Sequence, residues 1–271
     1  MTIGQAGFLG AVQGLSEFLP ISSSGHLIVL PWLLGWPEHS LAFDVALHVG
    51  TLVAVLYAFA GDWWRLLSAG VRGVLQGRPF AEPEGRLLGL LALASVPGAV
   101  AGLLLEDWAE TVFRSPGLVA LTMALMGAVL FVADRRAPAS PPEEADEKPV
   151  SFRDGLIIGL SQALALVPGV SRSGATISTA LLLGYPRASA ARFSFLLATP
   201  ITFGAALLKV PHLVKAGERP SLVLAGIAVA GVVGLLAIRF LLSYVRTRSY
   251  APFVYYRWAF AALILVVLAV R

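Results

Sequence analysis

The fold is decided by Pro168-Gly169-Val170-Ser171-Arg172-Ser173-Gly174-Ala175-Thr176, which places an arginine and three hydroxyl groups between strongly apolar segments. Proline and glycine at the start of this stretch interrupt the incoming helix and leave backbone N–H groups without partners. Ser171 is suited to cap a new helix that begins at Arg172. The stretch therefore predicts a broken helix rather than a continuous span.

Arg172 is costly in these surroundings, since an arginine at the middle of a bilayer raises the free energy by at least about 2.5 kcal/mol. Water or an anionic partner must therefore lie beside it. A helix start, two glycines, hydroxyl donors and a guanidinium together predict an anion site, most naturally for phosphate. The alternative is a Pro-Gly kink whose hydroxyls bond the backbone while Arg172 reaches an interface.

Composition places the whole chain in a membrane. Of its 271 residues, 57% are hydrophobic and 13% are charged, whereas a soluble domain carries about 25% charged residues. The absence of cysteine excludes disulfides and iron–sulfur clusters. The net charge of +4 is no sign of nucleic-acid binding, because excess Lys and Arg report topology in a membrane protein. The first residues lack a basic region, so no cleaved signal peptide is expected.

Ten apolar periodic segments predict ten helices and no strands. They are 3–19, 23–35, 41–60, 86–105, 116–134, 151–167, 172–184, 188–209, 221–243 and 251–270. The segments 23–35 and 172–184 are shorter than the roughly 20 residues that a spanning helix needs. Each follows a polar break that contains proline, so each is predicted to be the returning arm of a re-entrant hairpin. Part of 61–85, with Trp63 and Trp64, is expected to form an interfacial helix.

The two halves of the chain repeat at a constant offset of 149 residues. The matched pairs are Gly10 and Gly159, Gln13 and Gln162, Ser22 and Ser171, Ser24 and Ser173, Gly25 and Gly174, Gly35 and Gly184, and Pro37 and Pro186. We therefore divide the chain into a first repeat (1–134), a cytoplasmic linker (135–150) and a second repeat (151–271). With one hairpin and three crossings in each repeat, the second is inverted in the membrane. The predicted fold is an all-α polytopic membrane protein with about six full crossings and two re-entrant hairpins.

Positive charge predicts the orientation of this arrangement in the membrane. With Arg172 set aside, fourteen Lys and Arg residues fall on one side and five on the other. The fourteen are Arg65, Arg72, Arg78, Arg86, Arg135, Arg136, Lys148, Arg153, Arg187, Arg192, Arg239, Arg246, Arg248 and Arg257. Because the richer side is cytoplasmic, both termini are predicted to lie outside.

The first break carries the residues suited to chemistry. Gln13 and Glu17 are one turn apart and share a helix face, and Ser22, Ser23, Ser24 and His26 follow them. An ionisable group such as Glu17 needs a partner at membrane depth, either a cation, a proton or Arg172. In the inverted repeat these residues face Ser171, Arg172, Ser173, Gly174 and Thr176 across the two breaks.

Together the two breaks supply the parts that phosphoryl transfer requires. Arg172 and the neighbouring hydroxyl and N–H groups can hold phosphate oxygens. Glu17 with Gln13 can hold a divalent cation, Mg²⁺ or Ca²⁺, since such ions prefer oxygen ligands. Either Ser23 or His26 can attack, or His26 can act as a base. The alternatives are purely structural: His26 packs between helices, the serines satisfy the backbone groups of the break, and Glu17 and Arg172 form a structural ion pair.

Asp44 and His48 lie four residues apart in the third segment, with Thr51 one turn later. They can extend the polar site or bind a metal. We favour a supporting role for Asp44 behind the residues that touch the ligand. It is also the residue that can add a second carboxylate to a cation site.

At these residues the chain resembles the undecaprenyl-diphosphatase family of BacA-type bacitracin-resistance proteins. Gln13-x-x-x-Glu17 fits the family motif (Glu/Gln)-x-x-x-Glu, and Pro168–Thr176 fits Pro-Gly-x-Ser-Arg-Ser-x-x-Thr. The stretches 17–26 and 43–51 are also similar to that family. The resemblance runs over the full length of the chain, and the second motif is long enough to be specific.

The resemblance implies an integral membrane hydrolase that converts undecaprenyl diphosphate to the monophosphate, recycles this cell-wall lipid carrier and confers bacitracin resistance. It implies dependence on a divalent cation and roles for Gln13, Glu17, Ser23, His26, Ser171, Arg172 and Thr176. Gln13 leaves a single motif carboxylate, which puts a two-carboxylate metal site in doubt. No nucleic-acid partner is expected, and the oligomeric state stays open, with a homodimer as one alternative.

Two other functions compete with this one. A transporter or flippase for a phosphorylated lipid would use the same inverted repeat and the same anion site. A type-2 phosphatidic acid phosphatase would use Ser24-Gly25-His26, but its other two motifs are absent from the sequence.

Overall fold

The computed structural model describes residues 1–37, 39–105, 108, 112–138, 149–215 and 219–271, with the backbone alone for 41 and 209–215. Its elements are helical, and no strand occurs in these ranges. The helices with both ends described are α1 (Ile3–Phe18), α2 (Ser23–Leu34), α3 (Leu41–Ala58), α4 (Ala60–Leu75), α5 (Pro83–Leu104), α6 (Pro116–Arg136), α7 (Phe152–Ala163), α8 (Arg172–Leu182), α9 (Arg187–Lys215), α10 (Pro220–Val245) and α11 (Ala251–Val270).

Five of these helices, α5, α6, α9, α10 and α11, are long and apolar enough to cross a membrane. The pair α3 and α4, bent by 79° at Phe59, would make a sixth crossing. The chain is therefore an all-α, multi-pass membrane protein, as the sequence predicts. Helices α1, α2, α7 and α8 contain 16, 12, 12 and 11 residues, too few to cross a core of about 30 Å.

Serine forms the turn at both breaks. Ser22 has a φ of 73° and Ser171 a φ of 74°, and no other described residue except glycine has a positive φ. The Oγ of Ser22 accepts from Gly25 N at 3.3 Å, and the Oγ of Ser171 accepts from Gly174 N at 3.1 Å. Each serine thus caps the returning helix, which confirms the predicted helix start at Arg172.

The two breaks contact each other directly. Gly169 N donates to Ser22 Oγ at 3.1 Å, and Ser173 Oγ donates to Leu19 O at 3.1 Å. Gly169 has a φ of 90°, and a Cβ there would lie 1.9 Å from Thr122 Oγ1. Glycine is therefore required at this position, both for its conformation and for the close approach of α6.

Arg257 on α11 binds the two breaks together. Its side chain is fully buried, and its N–H groups donate to the carbonyl oxygens of Pro20 (3.0 Å), Met123 (3.1 Å), Gly169 (2.6 Å) and Val170 (3.2 Å). The assignment of Arg257 to the cytoplasmic surface is therefore wrong. Without Arg257, thirteen Lys and Arg residues lie on the predicted cytoplasmic side and five on the other. The excess of positive charge therefore still favours the same orientation.

Repeat-related glycines allow equivalent helix pairs to pack closely. A Cβ on Gly10 would lie 2.5 Å from Gly226 O, where α1 meets α10, and a Cβ on Gly159 would lie 2.3 Å from Ala94 O, where α7 meets α5. Small residues at helix contacts are typical of membrane bundles, because they let backbones approach. Helix α3 packs against both α10 and α9, and α9 packs against α5, so these contacts connect the two pairs.

Two further expectations concern the connections. Helix α4 occupies the place predicted for an interfacial helix, and its Trp64 side chain is exposed. Most of the predicted linker lies outside the described residues, and α6 continues to Arg136. The division into two inverted repeats stays a prediction.

Candidate active site

A cavity of about 220 Å³ lies between the two breaks. One wall comes from α1, the start of α2 and α3. The other comes from α5, α7, the short 3-10 helix Leu164–Leu166, the second break, the start of α8 and α9. The polar lining residues are Glu17, Ser23, Ser24, His48, Gln162, Ser171, Arg172 and Thr202. The apolar ones are Val45, Gly98, Ala165, Leu166, Ile201 and Ala205. The cavity is thus polar on one side and apolar beside it.

Glu17 is the centre of the polar side. Arg172 Nη2 donates to its Oε1 at 2.7 Å, and Ser23 Oγ donates to its Oε2 at 2.5 Å. Gln13 Nε2 donates to the same Oε2 at 3.0 Å, and His48 Nε2 lies 3.5 Å from it. The structure therefore brings together Gln13, Glu17, Ser23 and Arg172, residues that lie in two different halves of the sequence.

Arg172 keeps one donor free for a ligand. Its Nη2 is used by Glu17, whereas Nη1 is buried and has no hydrogen-bond partner among the described residues. A buried donor on a guanidinium is rarely left unpaired, and this one belongs to a residue that lines the cavity. An anion in the cavity would supply the missing acceptor.

His48, rather than the carboxylate of Asp44, reaches the cavity. A carbonyl oxygen only accepts hydrogen bonds, so His48 Nδ1 donates to Asp44 O at 2.8 Å and Nε2 is left facing Glu17. The Asp44 carboxylate bonds His39 at 2.5 Å and lies 3.4 Å from Arg114 Nη1. Asp44 therefore supports the site through its main chain, and its carboxylate supplies no ligand beside Glu17.

His26 lies on the other side of the first break and does not line the cavity. Its Nδ1 donates to Ser22 O at 2.6 Å, so Nε2 accepts from Tyr256 OH, also at 2.6 Å. The ring stacks on Phe260 with centroids 4.5 Å apart. In this structure both ring nitrogens of His26 are occupied, Nδ1 by the first break and Nε2 by α11.

The residues predicted to bind phosphate fall into two groups. Ser24, Ser171 and Arg172 line the cavity. Ser22, Ser173, Gly174 and Thr176 do not line it and are buried within the breaks. Thr176 Oγ1, for example, bonds Arg172 O at 2.8 Å and Ser194 Oγ at 2.7 Å, which fixes the backbone that carries the arginine.

The donor set suits a divalent cation that is shared with a ligand. No group of three or more His, Asp or Glu side chains that could hold a metal ion occurs within the described ranges. Glu17 nevertheless lies beside Gln13, whose Oε1 is buried and without a partner there. One carboxylate with one amide carbonyl fits an ion such as Mg²⁺, which completes its shell with water and substrate phosphates.

A larger cavity of about 450 Å³ lies where α4, α5 and α9 begin. It contains Asp62, Arg65 and Arg192, and both arginines pair with Asp62. Asp62 engages both guanidinium groups, and neither arginine has a buried nitrogen left without a partner among the described residues. The smaller cavity at the breaks is therefore the candidate active site.

Three residues of this region were not predicted as site residues from the sequence. They are Gln162 and Thr202, which line the cavity, and Arg257, which bonds the two breaks that form its walls. Gln162 could have been identified from the sequence, because it is the repeat counterpart of Gln13. Thr202 lies in an apolar helix without any motif, and nothing in the sequence distinguishes it.

The chain is similar to known proteins over nearly its whole length. The model of the family described as "Bacitracin resistance protein BacA" matches residues 6–263. The undecaprenyl-diphosphatase of Moorella thermoacetica is 51% identical over 271 residues, covering 100% of both chains. That of Pelotomaculum thermopropionicum is 45% identical over 100% of this chain and 98% of its own. That of Desulforudis audaxviator is 48% identical over 97% of each chain.

Proposed function

The chain belongs to the family of the bacitracin resistance protein BacA, and on that premise we propose that it hydrolyses undecaprenyl diphosphate to undecaprenyl phosphate and phosphate. This reaction recycles the cell-wall lipid carrier and confers bacitracin resistance. The observation that carries the proposal is Arg172, a cavity residue that holds Glu17 with one nitrogen and has a second, buried nitrogen without a partner among the described residues. A transporter would use the same anion site, but the comparisons do not support that alternative, because the relatives reported above are named for hydrolysis.

The terminal phosphate binds at Arg172. Its free Nη1 donates to a phosphate oxygen, and the hydroxyls of Ser24 and Ser171 line the same cavity. A guanidinium in a site with little water stabilises the charge of the transferring phosphoryl group far more than it would in bulk water. Because Glu17 fixes Arg172 before the substrate arrives, the charge is already in place.

Ser23 is the nucleophile in this proposal. Its Oγ attacks the terminal phosphorus, its proton passes to Glu17 Oε2, and the bond from phosphorus to the bridging oxygen breaks. The lipid monophosphate departs with that oxygen. Water then attacks the phosphoserine, the bond from phosphorus to Ser23 Oγ breaks, and Glu17 returns its proton to Ser23. His48, which faces Glu17, is placed to take a proton from that water.

A divalent cation would be held by Glu17 and Gln13. When bound it neutralises charge on the phosphate oxygens and on the departing monophosphate. Asp44 is not a ligand in this proposal, because its carboxylate is engaged with His39 and Arg114.

Purified protein in detergent is expected to release phosphate from a prenyl diphosphate, and EDTA is expected to stop the reaction until Mg²⁺ or Ca²⁺ is added. Ser23→Ala is expected to lower kcat by at least about a hundred-fold, because the attacking group is lost. Ser16→Ala is the matched control, since Ser16 Oγ only bonds Val12 O. Absence of phosphate release by the unmodified protein would refute the function; activity that survives EDTA would refute the cation alone.

The same proposal places the protein in the inner membrane with both termini outside. The support is the excess of Lys and Arg on one side, thirteen against five. Protease added to spheroplasts is expected to remove a tag from either terminus. Protection of either tag would show that the orientation is wrong.

A further inference from the structure

Gln162 is a polar cavity residue that has no role in the reaction described above. It lies on α7 and is only 3% exposed, yet neither its Nε2 nor its Oε1 has a hydrogen-bond partner among the described residues. Buried amides are nearly always paired. Because Gln162 lines the cavity, the missing partner is expected to come from whatever the cavity binds.

The surroundings of Gln162 show which part of a ligand it meets. Gln162 is the repeat counterpart of Gln13, but the counterpart of Glu17 is Leu166. On this side of the cavity the acid is therefore replaced by an apolar residue, next to Ala165 and Ile201. A donor that stands beside apolar residues is suited to a phosphate that is attached to a hydrocarbon.

Helix α5 leaves room for the Gln162 amide at Gly98. A Cβ at that position would lie 3.2 Å from Gln162 Nε2 and 2.7 Å from Ile201 Cδ1. The absence of a side chain at Gly98 thus allows the amide to stay at the cavity wall. The cavity, at about 220 Å³, is below the roughly 300–1,000 Å³ of pockets that enclose whole small-molecule ligands. It therefore accommodates a headgroup and the first carbons of a chain, not a polyprenyl tail.

We propose that Gln162 forms a second phosphate subsite, which holds the lipid-linked phosphate of a diphosphate ester while Arg172 holds the terminal phosphate. This inference rests on the proposed function. Nε2 donates to an oxygen of the lipid-linked phosphate, and Ala165, Leu166 and Ile201 contact the carbons next to it. A diphosphate occupies both subsites, whereas a monophosphate occupies one. Gln162 therefore makes the enzyme prefer its substrate to its lipid product.

The first test replaces Gln162 by leucine. Loss of a hydrogen bond to a charged group is expected to raise KM for a prenyl diphosphate about ten- to a hundred-fold, while kcat stays within about threefold because the lost contact is ground-state binding. The thermal unfolding temperature is expected to stay equal or rise, since an unpaired buried amide is removed. A purely structural role predicts the opposite, a lower unfolding temperature with an unchanged KM.

Ser178→Ala is the matched control. Ser178 Oγ is likewise buried and unpaired among the described residues, but Ser178 does not line the cavity. Its removal is expected to leave KM unchanged. A KM shift equal to that of Gln162→Leu would overturn the subsite.

The second test needs no turnover. Pyrophosphate is expected to raise the unfolding temperature of the unmodified protein more than phosphate does, and Gln162→Leu is expected to lose this difference while keeping the shift with phosphate. An undiminished preference for pyrophosphate in the variant would overturn the inference. If the leucine variant does not fold, Gln162→Asn withdraws the amide by one methylene and gives the same comparison. Failure of the proposed function is seen separately, as absence of phosphate release by the unmodified protein.

Discussion

Arg172→Lys is expected to lower kcat for phosphate release by about a thousand-fold, in line with the loss of a guanidinium or a comparable donor at a transferring group. Arg172 has two terminal nitrogens in different roles: Nη2 bonds Glu17 Oε1 at 2.7 Å, and Nη1 is buried without a partner among the described residues. The ammonium of lysine is a single point and lacks this fork. Its three donors sit on one atom, so it cannot direct two separate nitrogens at Glu17 and at a phosphate as the guanidinium can. Arg172→Ala is expected to be at least as inactive.

Arg192→Lys is the control for this variant. Arg192 is also on the second repeat and also pairs with an acid, Asp62 at 2.7 Å, but it lies in the other cavity. Its replacement is expected to leave kcat unchanged. Phosphate release is measured at saturating substrate, together with the thermal unfolding temperature of each variant. An Arg172→Lys protein that folds and keeps more than about a tenth of kcat would contradict the role of Arg172.

Arg257→Met is expected to lower the free energy of unfolding by up to about 4 kcal/mol, taking about 1 kcal/mol for each of the four carbonyl oxygens that lose a donor. Burying a guanidinium is itself costly, so its removal returns part of that energy. The loss is expected to dominate, because three of the carbonyls belong to broken helices and have no alternative donor nearby. Activity is expected to fall as well, since Pro20 and Gly169 lie beside the residues that line the cavity.

The thermal unfolding temperature in detergent measures this effect, and Arg271→Met provides the comparison. Arg271 also donates to two carbonyl oxygens, those of Trp32 and Leu33, both at 3.0 Å, but it is exposed. Water replaces its bonds, so little change is expected. Equal unfolding temperatures for the two variants would show that Arg257 does not hold the breaks.

Features that depend on a few neighbouring residues could be predicted from the sequence. The start of α8 at Arg172 and its cap by Ser171 follow from Pro168, Gly169 and the serine itself. The short returning helices and the long apolar spans follow from periodicity and length. The contact between Glu17 and Arg172 could also be predicted, because the repeat places the two breaks opposite each other.

Features that depend on long-range packing could not be predicted. Arg257 follows Tyr255 and Tyr256 and precedes Trp258, a pattern typical of a membrane interface. Only the packing of α11 against α6 turns it inward, to carbonyls up to 237 residues away. His26 was expected near the opposite break, but its ring follows the local Ser22 carbonyl and the distant Tyr256 hydroxyl. His48 takes the position beside Glu17 instead.

The direct contact between the two breaks has a consequence for biosynthesis. Ser22 Oγ receives its donor from Gly169, 147 residues later, and Pro20 O receives its donor from Arg257, 237 residues later. At about 5–20 residues per second, the ribosome needs roughly 7 to 30 s to reach Gly169 after Ser22. During that interval the nascent first hairpin lacks the groups that complete it. The first half must therefore wait in the insertion machinery or at a wet interface until the second half has been made.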